Sequence, residues 1–233
     1  MRRISTVLSA VLLLAGCSTQ SPSPAPSSPT RSTSTSAAAS PTASPRPTAT
    51  SCCAAPDPAL AQRASAALAG PTAYSGRGYP AGTDLPAPTG PTTQVCNRAL
   101  DVDKAGHVAA ARSWQGSQYS VTNTVHGYAS ASADTAVAQL RVAAASCPTY
   151  VLDGATYTLG AAVNTPAYYG IDVSYTYCEQ RQADGATTSS CTVVFAHGNL
   201  MAMLRVQSTG DSTSDTYTEL LHLSDAAAQS VQT

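Results

Sequence analysis

Seven cysteines, four histidines and thirteen Asp and Glu residues carry most of the redox, metal-binding and proton-transfer capacity of this 233-residue chain. The histidines, His107, His126, His197 and His222, have neither metal-ligand spacing nor an adjacent carboxylate motif, so each reads as a structural or surface residue. Glu179 and Glu219 fall in no acid-base pattern. The sequence has no G-x-S-x-G, H-E-x-x-H, P-loop, G-x-G-x-x-G or Cys-x-x-Cys motif, and Ser75 in AYSGR lacks the flanking glycines of a nucleophile elbow. No catalytic residue, metal site or cofactor is expected, and the chain reads as a non-enzyme. The alternative is a cell-envelope hydrolase or transferase assembled from scattered residues.

Aromatic usage is more informative: eleven Tyr stand against one Phe and one Trp. Tyrosine joins an apolar ring to a polar tip, which suits a groove for a sugar, peptide or lipid fragment. Tyr168, Tyr169, Tyr175 and Tyr177 concentrate in one strand region and are the candidate ligand-binding residues; a partly wet sheet would use tyrosine in the same way. Only 11% of residues are charged, the formal charge is −1 and Lys104 is the single lysine. That balance excludes nucleic acid as a principal partner, because no cationic surface is available for a phosphate backbone.

The elements that must hold these side chains begin at Asp57-Pro58. A helix start, a first-turn proline and a stop at Gly70 frame Leu60, Ala64 and Leu68 on one face. Residues 70 to 95 are rich in Gly and Pro and read as irregular surface chain. Residues 107 to 128 hold two strands parted near Gln115 and Gly116, with Tyr119, Val121, Asn123 and Val125 on one face. Ser132 or Asp134 caps the next helix, in which Val137, Leu140, Ala144 and Cys147 share a face until Pro148. A strand near Tyr157 follows, then an alternating, half-buried strand over 168 to 181. Strands at 191 to 196 and 200 to 207 flank a tight His197-Gly198-Asn199 hairpin, and the final helix, 214 to 231, carries Tyr217, Leu220, Leu221, Ser224, Ala228 and Val231 on one face. The fold class is α+β, an antiparallel sheet flanked by helices.

A two-residue turn at Asp184-Gly185 sets Cys178 opposite Cys191 as a non-hydrogen-bonded pair, with Cα atoms roughly 4.5 Å apart, at the lower edge of disulfide reach. A bond between Cys96, ahead of the first hairpin, and Cys147, at the end of the helix, would pin the irregular entry segment and add about 4 kcal/mol on chain-entropy grounds. Cys52 and Cys53 either form a vicinal disulfide, pair with another chain or stay free.

Residues 1 to 16 read as a signal peptide: Arg2 and Arg3 precede a short apolar run that is well below the ~20 residues of a bilayer span. Leu14-Ala15-Gly16-Cys17 resembles the bacterial lipobox, which implies cleavage before Cys17 and acylation of its thiol and new amino terminus. Multiple acyl chains make a stable anchor, so the membrane is the expected partner. Thirty-one of the 34 residues from Ser18 to Ser51 are Ser, Thr, Pro or Ala, a composition that cannot bury a core. Residues 17 to 56 therefore read as a lipidated cysteine and disordered tether, and 57 to 233 as the folded, sensor-like domain.

Residues 96 to 231 resemble the extracellular sensor domain of the actinobacterial PknH-type receptor kinases and of lipoproteins carrying the same module. The resemblance rests on a Cys before the first strand, RSWQGSQYSVTNTVHGY, the helix LRVAAASC, two later cysteines, the SSCTVVFAHGNLMAMLRV hairpin and the terminal amphipathic helix. It implies a twisted antiparallel sheet with a cleft for a small-molecule or cell-wall ligand. It also implies two disulfides in sequence order, Cys96 with Cys147 and Cys178 with Cys191. No kinase motif accompanies the module here, so the expected function is ligand binding, buffering or presentation on the outer face of the cell membrane. The sequence sets no oligomeric state.

Overall fold

The computed structural model describes residues 57–233. The expected signal peptide, Cys17, the tether, and Cys52 and Cys53 lie outside the described residues. The described chain begins with Asp57, whose carboxylate accepts from the Ala59 N–H at 2.9 Å and starts helix α1 (Pro58–Ala66). The remaining elements are β1 (Thr83–Leu85), β2 (His107–Gln115), β3 (Tyr119–Tyr128), α2 (Ala133–Ser146), β4 (Thr149–Leu152), β5 (Ala155–Leu159), β6 (Val173–Ala183), β7 (Ala186–His197), β8 (Leu200–Ser208) and α3 (Thr213–Ser230).

The eight strands form one antiparallel sheet in the order β1-β2-β3-β8-β7-β6-β5-β4. Two of its hairpins turn on Asp-Gly pairs with both residues at positive φ: Asp153-Gly154 (49° and 76°) joins β4 to β5, and Asp184-Gly185 (51° and 76°) joins β6 to β7. Positive φ at both central residues twists in the same sense as the strands, so these turns lock register. The second places Cys178 opposite Cys191, as expected, with Cα atoms 4.0 Å apart and the disulfide formed. The Cys96–Cys147 disulfide, with Cα atoms 6.0 Å apart, ties the segment ahead of β2 to the end of α2.

Strand alternation sorts side chains onto two faces. On one, Val121, Val125, Val193, Phe195, Leu204 and Val206 pack under α1 and α3, with Leu60, Leu220, Leu223 and Ala227 from the helices. Burying each large aliphatic or aromatic side chain is worth roughly 1.5–3 kcal/mol, so this layer is the main source of stability. Gly127 lets α1 come close, because a Cβ there would lie 2.9 Å from Leu60. Asn123 is buried in the same layer without penalty. Its Oδ1 accepts from Ala69 N–H at 2.8 Å and its Nδ2 donates to Met203 O at 3.1 Å. On the opposite face α2 lays Val137, Leu140 and Ala144 over Tyr128, Val194 and Met201.

The structure departs from the sequence reading in five places. Helix α1 ends at Ala66, short of Leu68 and the expected stop at Gly70, and β7 begins at Ala186, not at 191, because the Asp184-Gly185 turn starts its pairing with β6 at once. Strands β1 and β4 sit at the two sheet edges, in stretches too short for alternation to register. The strand expected from 168 begins at Val173, because Gly170 at φ 75° turns the chain and the Ile171 N–H closes on Tyr168 O. In α3 the buried stripe is centred on Thr216, Leu220, Leu223 and Ala227, with Tyr217 and Leu221 only half-buried at its margin. Leu220, Ser224, Ala228 and Val231 of the expected stripe are buried, so the buried face differs from it by including Thr216, Leu223 and Ala227.

The double variant Cys178→Ala/Cys191→Ala removes a cross-link closing a short loop and should lower unfolding free energy by about 2–3 kcal/mol. Urea titration of the non-reduced proteins measures it.

Candidate functional site

Helix α2 covers only one end of its sheet face. The other end carries Thr122 and Thr124 from β3, Met203 and Arg205 from β8, Thr192 from β7, and Tyr177 and Glu179 from β6, and it lines a cleft of about 370 Å³. Such a volume lies at the lower end of the range for small-ligand sites. Tyr150, Leu152 and Tyr157 of the β4–β5 hairpin form one wall, and residues 88 to 95 form the facing strap. Pro86, Pro88 and Pro91 deprive this strap of backbone donors, which keeps it from pairing as a ninth strand.

The strap is held at its far end. Asp103 Oδ1 accepts from both the backbone N–H and the hydroxyl of Thr92, Asp103 Oδ2 accepts from Leu100 N–H at 2.8 Å, and Thr92 Oγ1 lies 2.9 Å from Tyr128 Oη. Four residues further on, the Cys96–Cys147 bond makes a second tie.

At the centre of the cleft floor lies a carboxylate that is 2% exposed. Glu179 Oε2 accepts from Tyr150 Oη at 2.7 Å, while Oε1 faces Arg205 Nη2 at 2.9 Å and accepts from Ser190 Oγ at 3.3 Å. Arg205 Nη2 also donates to Ser190 Oγ at 2.9 Å, so four side chains from β4, β6, β7 and β8 close into one network. Burial, reinforced by the charge of Glu179, pushes the Tyr150 hydroxyl well above the usual phenol range and that of Tyr177 up to about 12. Both hydroxyls therefore stay protonated at neutral pH. The Tyr150 and Tyr157 rings stack with centroids 5.0 Å apart and planes 10° off parallel.

His126, 2% exposed, stands at the α2 end of the cleft, with its ring centroid 5.0 Å from that of His107. Burial first, and His107 second, hold its imidazole down to about 3, so it is neutral under ordinary conditions. Its Nδ1 has no hydrogen-bond partner among the described residues. No group of three or more His, Cys, Asp or Glu among the described residues is arranged to hold a metal ion.

The four tyrosines singled out by sequence do not share a groove. Tyr177 lines the cleft. Tyr175 stacks beside it at 5.9 Å, but its ring is engaged by the Arg141 guanidinium at 5.4 Å from the centroid. Tyr168 lies in the other layer, edge-on to Phe195 at 4.8 Å, and donates to Ser224 Oγ at 2.9 Å. Tyr169 is 97% exposed. The turn at Gly170 breaks the run of alternation that would have aligned the first pair with the second. Sequence reading missed Tyr150, Tyr157, Glu179, Arg205 and His126. One signal was available: Glu179 has the same strand parity as Tyr175 and Tyr177, and a carboxylate on a half-buried strand face requires a cation opposite it.

No family model matches the chain, and no curated protein matches it. Among solved structures it is similar to the extracellular domain of PknH from Mycobacterium tuberculosis, with a TM-score of 0.50 and 14% identity, covering 73% of this chain and 95% of that one. The likeness is one of fold: the expected relation to a sensor-domain architecture holds for the path of the chain.

Glu179→Ala would leave Arg205 and Tyr150 facing a void with their partner gone. It should cost about 2–4 kcal/mol, below the range for a fully buried pair because the Arg205 side chain is 38% exposed. The double variant Glu179→Ala/Arg205→Leu should recover much of that loss, a non-additivity that chemical denaturation of the four proteins would measure.

Proposed function

We propose that residues 57–233 form an extracytoplasmic, non-catalytic binding domain that holds a small molecule or cell-envelope fragment in the cleft between the β4–β5 hairpin and the 88–95 strap. The observation that carries this reading is the state of the cleft's polar groups. Glu179 is satisfied by Arg205, Tyr150 and Ser190, while Arg205 Nε and Nη1 and the hydroxyls of Thr122 and Thr124, which line the cleft, have no partner among the described residues. Buried or half-buried donors and acceptors left uncommitted in a concave site are recognition groups awaiting a partner.

A hydrolase or transferase reading has less support. Among the described residues Glu179 is the only carboxylate lining the cleft, whereas glycoside hydrolysis uses a facing pair. Ser190 is buried beneath Arg205 and does not line the cleft, so its hydroxyl is not offered to a substrate. The two disulfides support an oxidising compartment, and the fold likeness is to a domain described as extracellular. Among the described residues no helix is long and apolar enough to cross a membrane. In this reading attachment falls to an acylated Cys17, with residues 17 to 56 acting as the tether.

Two measurements test it. Labelling cells with radioactive palmitate should mark the wild-type chain and leave Cys17→Ala unlabelled; equal labelling of both removes the anchor. Native mass spectrometry of the full chain released from membranes should reveal a bound small molecule that is lost in Arg205→Ala. A chain that is ligand-free in every preparation, with no change in amide exchange at Thr122, Thr124 and Thr192 on addition of envelope extract, would overturn the binding reading.

A further inference from the structure

The chemistry of the cleft narrows what it accepts, given the binding reading above. We infer that the ligand is a neutral saccharide of one or two rings. Charge is the first discriminator. Among the described residues Glu179 and Arg205 are the only formally charged ones lining the cleft, they neutralise each other, and His126 carries no charge near neutral pH. A carboxylate or phosphate ligand on Arg205 Nε and Nη1 would share its single positive charge with Glu179 and leave two negative groups against one cation beside a carboxylate that is 2% exposed, an expensive arrangement. A cationic ligand would meet the guanidinium before it could reach the carboxylate, because Arg205 is the more exposed member of the pair.

Hydrogen-bonding capacity is the second. The hydroxyls of Thr122 and Thr124 lie on the half-buried floor without partners among the described residues. Arg205 Nε and Nη1 add further uncommitted groups. A lipid chain would strip water from these groups and return nothing. A peptide held through its main chain needs a free strand edge. The floor strands β3, β8, β7 and β6 are all interior, and the one edge strand at the cleft, β4, lies against the turn Val95–Asn97.

Shape is the third. Tyr150 and Tyr157 stack on each other and both line the cleft, so the pair offers a ligand an outer ring face and ring edges, apolar carbon bordered by phenol oxygen. A pyranose matches this combination, with a C–H face for the ring plate and a rim of neutral hydroxyls that both donate and accept. Those hydroxyls suit the guanidinium and the threonines simultaneously.

An array of neutral glycans, built from glucose, galactose, mannose, arabinose and N-acetylhexosamines, should retain the full chain, and calorimetry with the retained disaccharide should give 1:1 binding. Tyr157→Ala should weaken that binding by about tenfold or more, and Thr122→Val, which keeps side-chain volume, should weaken it severalfold through one lost hydrogen bond. The valine variant guards against a folding defect in the tyrosine variant. If no neutral glycan binds while inorganic phosphate or N-acetylneuraminic acid does, and that binding is lost in Arg205→Ala, the saccharide inference fails and the binding reading survives. If neutral glycans bind with affinity unchanged in both variants, the site lies elsewhere and the inference fails. If neither neutral nor anionic probes bind and no ligand co-purifies, both fail together.

Discussion

An eight-stranded sheet has two faces to cover, and the described residues supply three α-helices with which to do it. Strands about 4.8 Å apart make such a sheet roughly 34 Å wide, whereas a helix with its side chains is about 10 Å across. Two helices, α1 and α3, close one face. The single helix α2 lies over one end of the other and leaves the remainder open. The cleft, its polar lining and its strap all follow from that shortage of cover.

An uncovered sheet face cannot stay apolar without becoming a sticky patch, and it cannot carry lone charges in a concavity without desolvation cost. The residues present satisfy both conditions. Threonines occupy the floor positions of β3, and the one carboxylate is opposed by one guanidinium across the β6, β7 and β8 registers, with Ser190 bridging them and Tyr150 closing the far oxygen. The strap is treated differently. Its prolines keep it out of the sheet, so it must be held by side chains and by sulfur, through Asp103 to Thr92 and through Cys96 to Cys147. The two disulfides therefore do different work: one staples neighbouring central strands, and the other fixes a rim of the cleft to the only helix on that face.

Much of this was legible before any coordinates. Asp184-Gly185 and His197-Gly198-Asn199 set two hairpins and, through the first, the pairing of Cys178 with Cys191. Asp57-Pro58 and Pro148 bracketed helices, and the two strands parted near Gln115 appear as β2 and β3. Asp153-Gly154 is the same kind of signal and went unread, because the strands on either side, four and five residues long, are too short for alternation to stand out. With that hairpin went Tyr150 and Tyr157, and with them a wall of the cleft. The tyrosine cluster failed for a related reason: proximity in sequence was taken for proximity in space across Gly170, where the backbone turns.

Turn type, helix capping and the parity of side chains along a strand are decided by neighbours within a few residues, and these the sequence determined by itself, together with the register that turns impose. Only the tertiary structure decided which half of a sheet face α2 would leave bare, which edge strands would complete the sheet, and that Glu179 would meet Arg205 there. The reason is physical. Those outcomes depend on the competition between covering apolar surface and keeping charge solvated or paired, and that balance is struck among residues far apart in the chain.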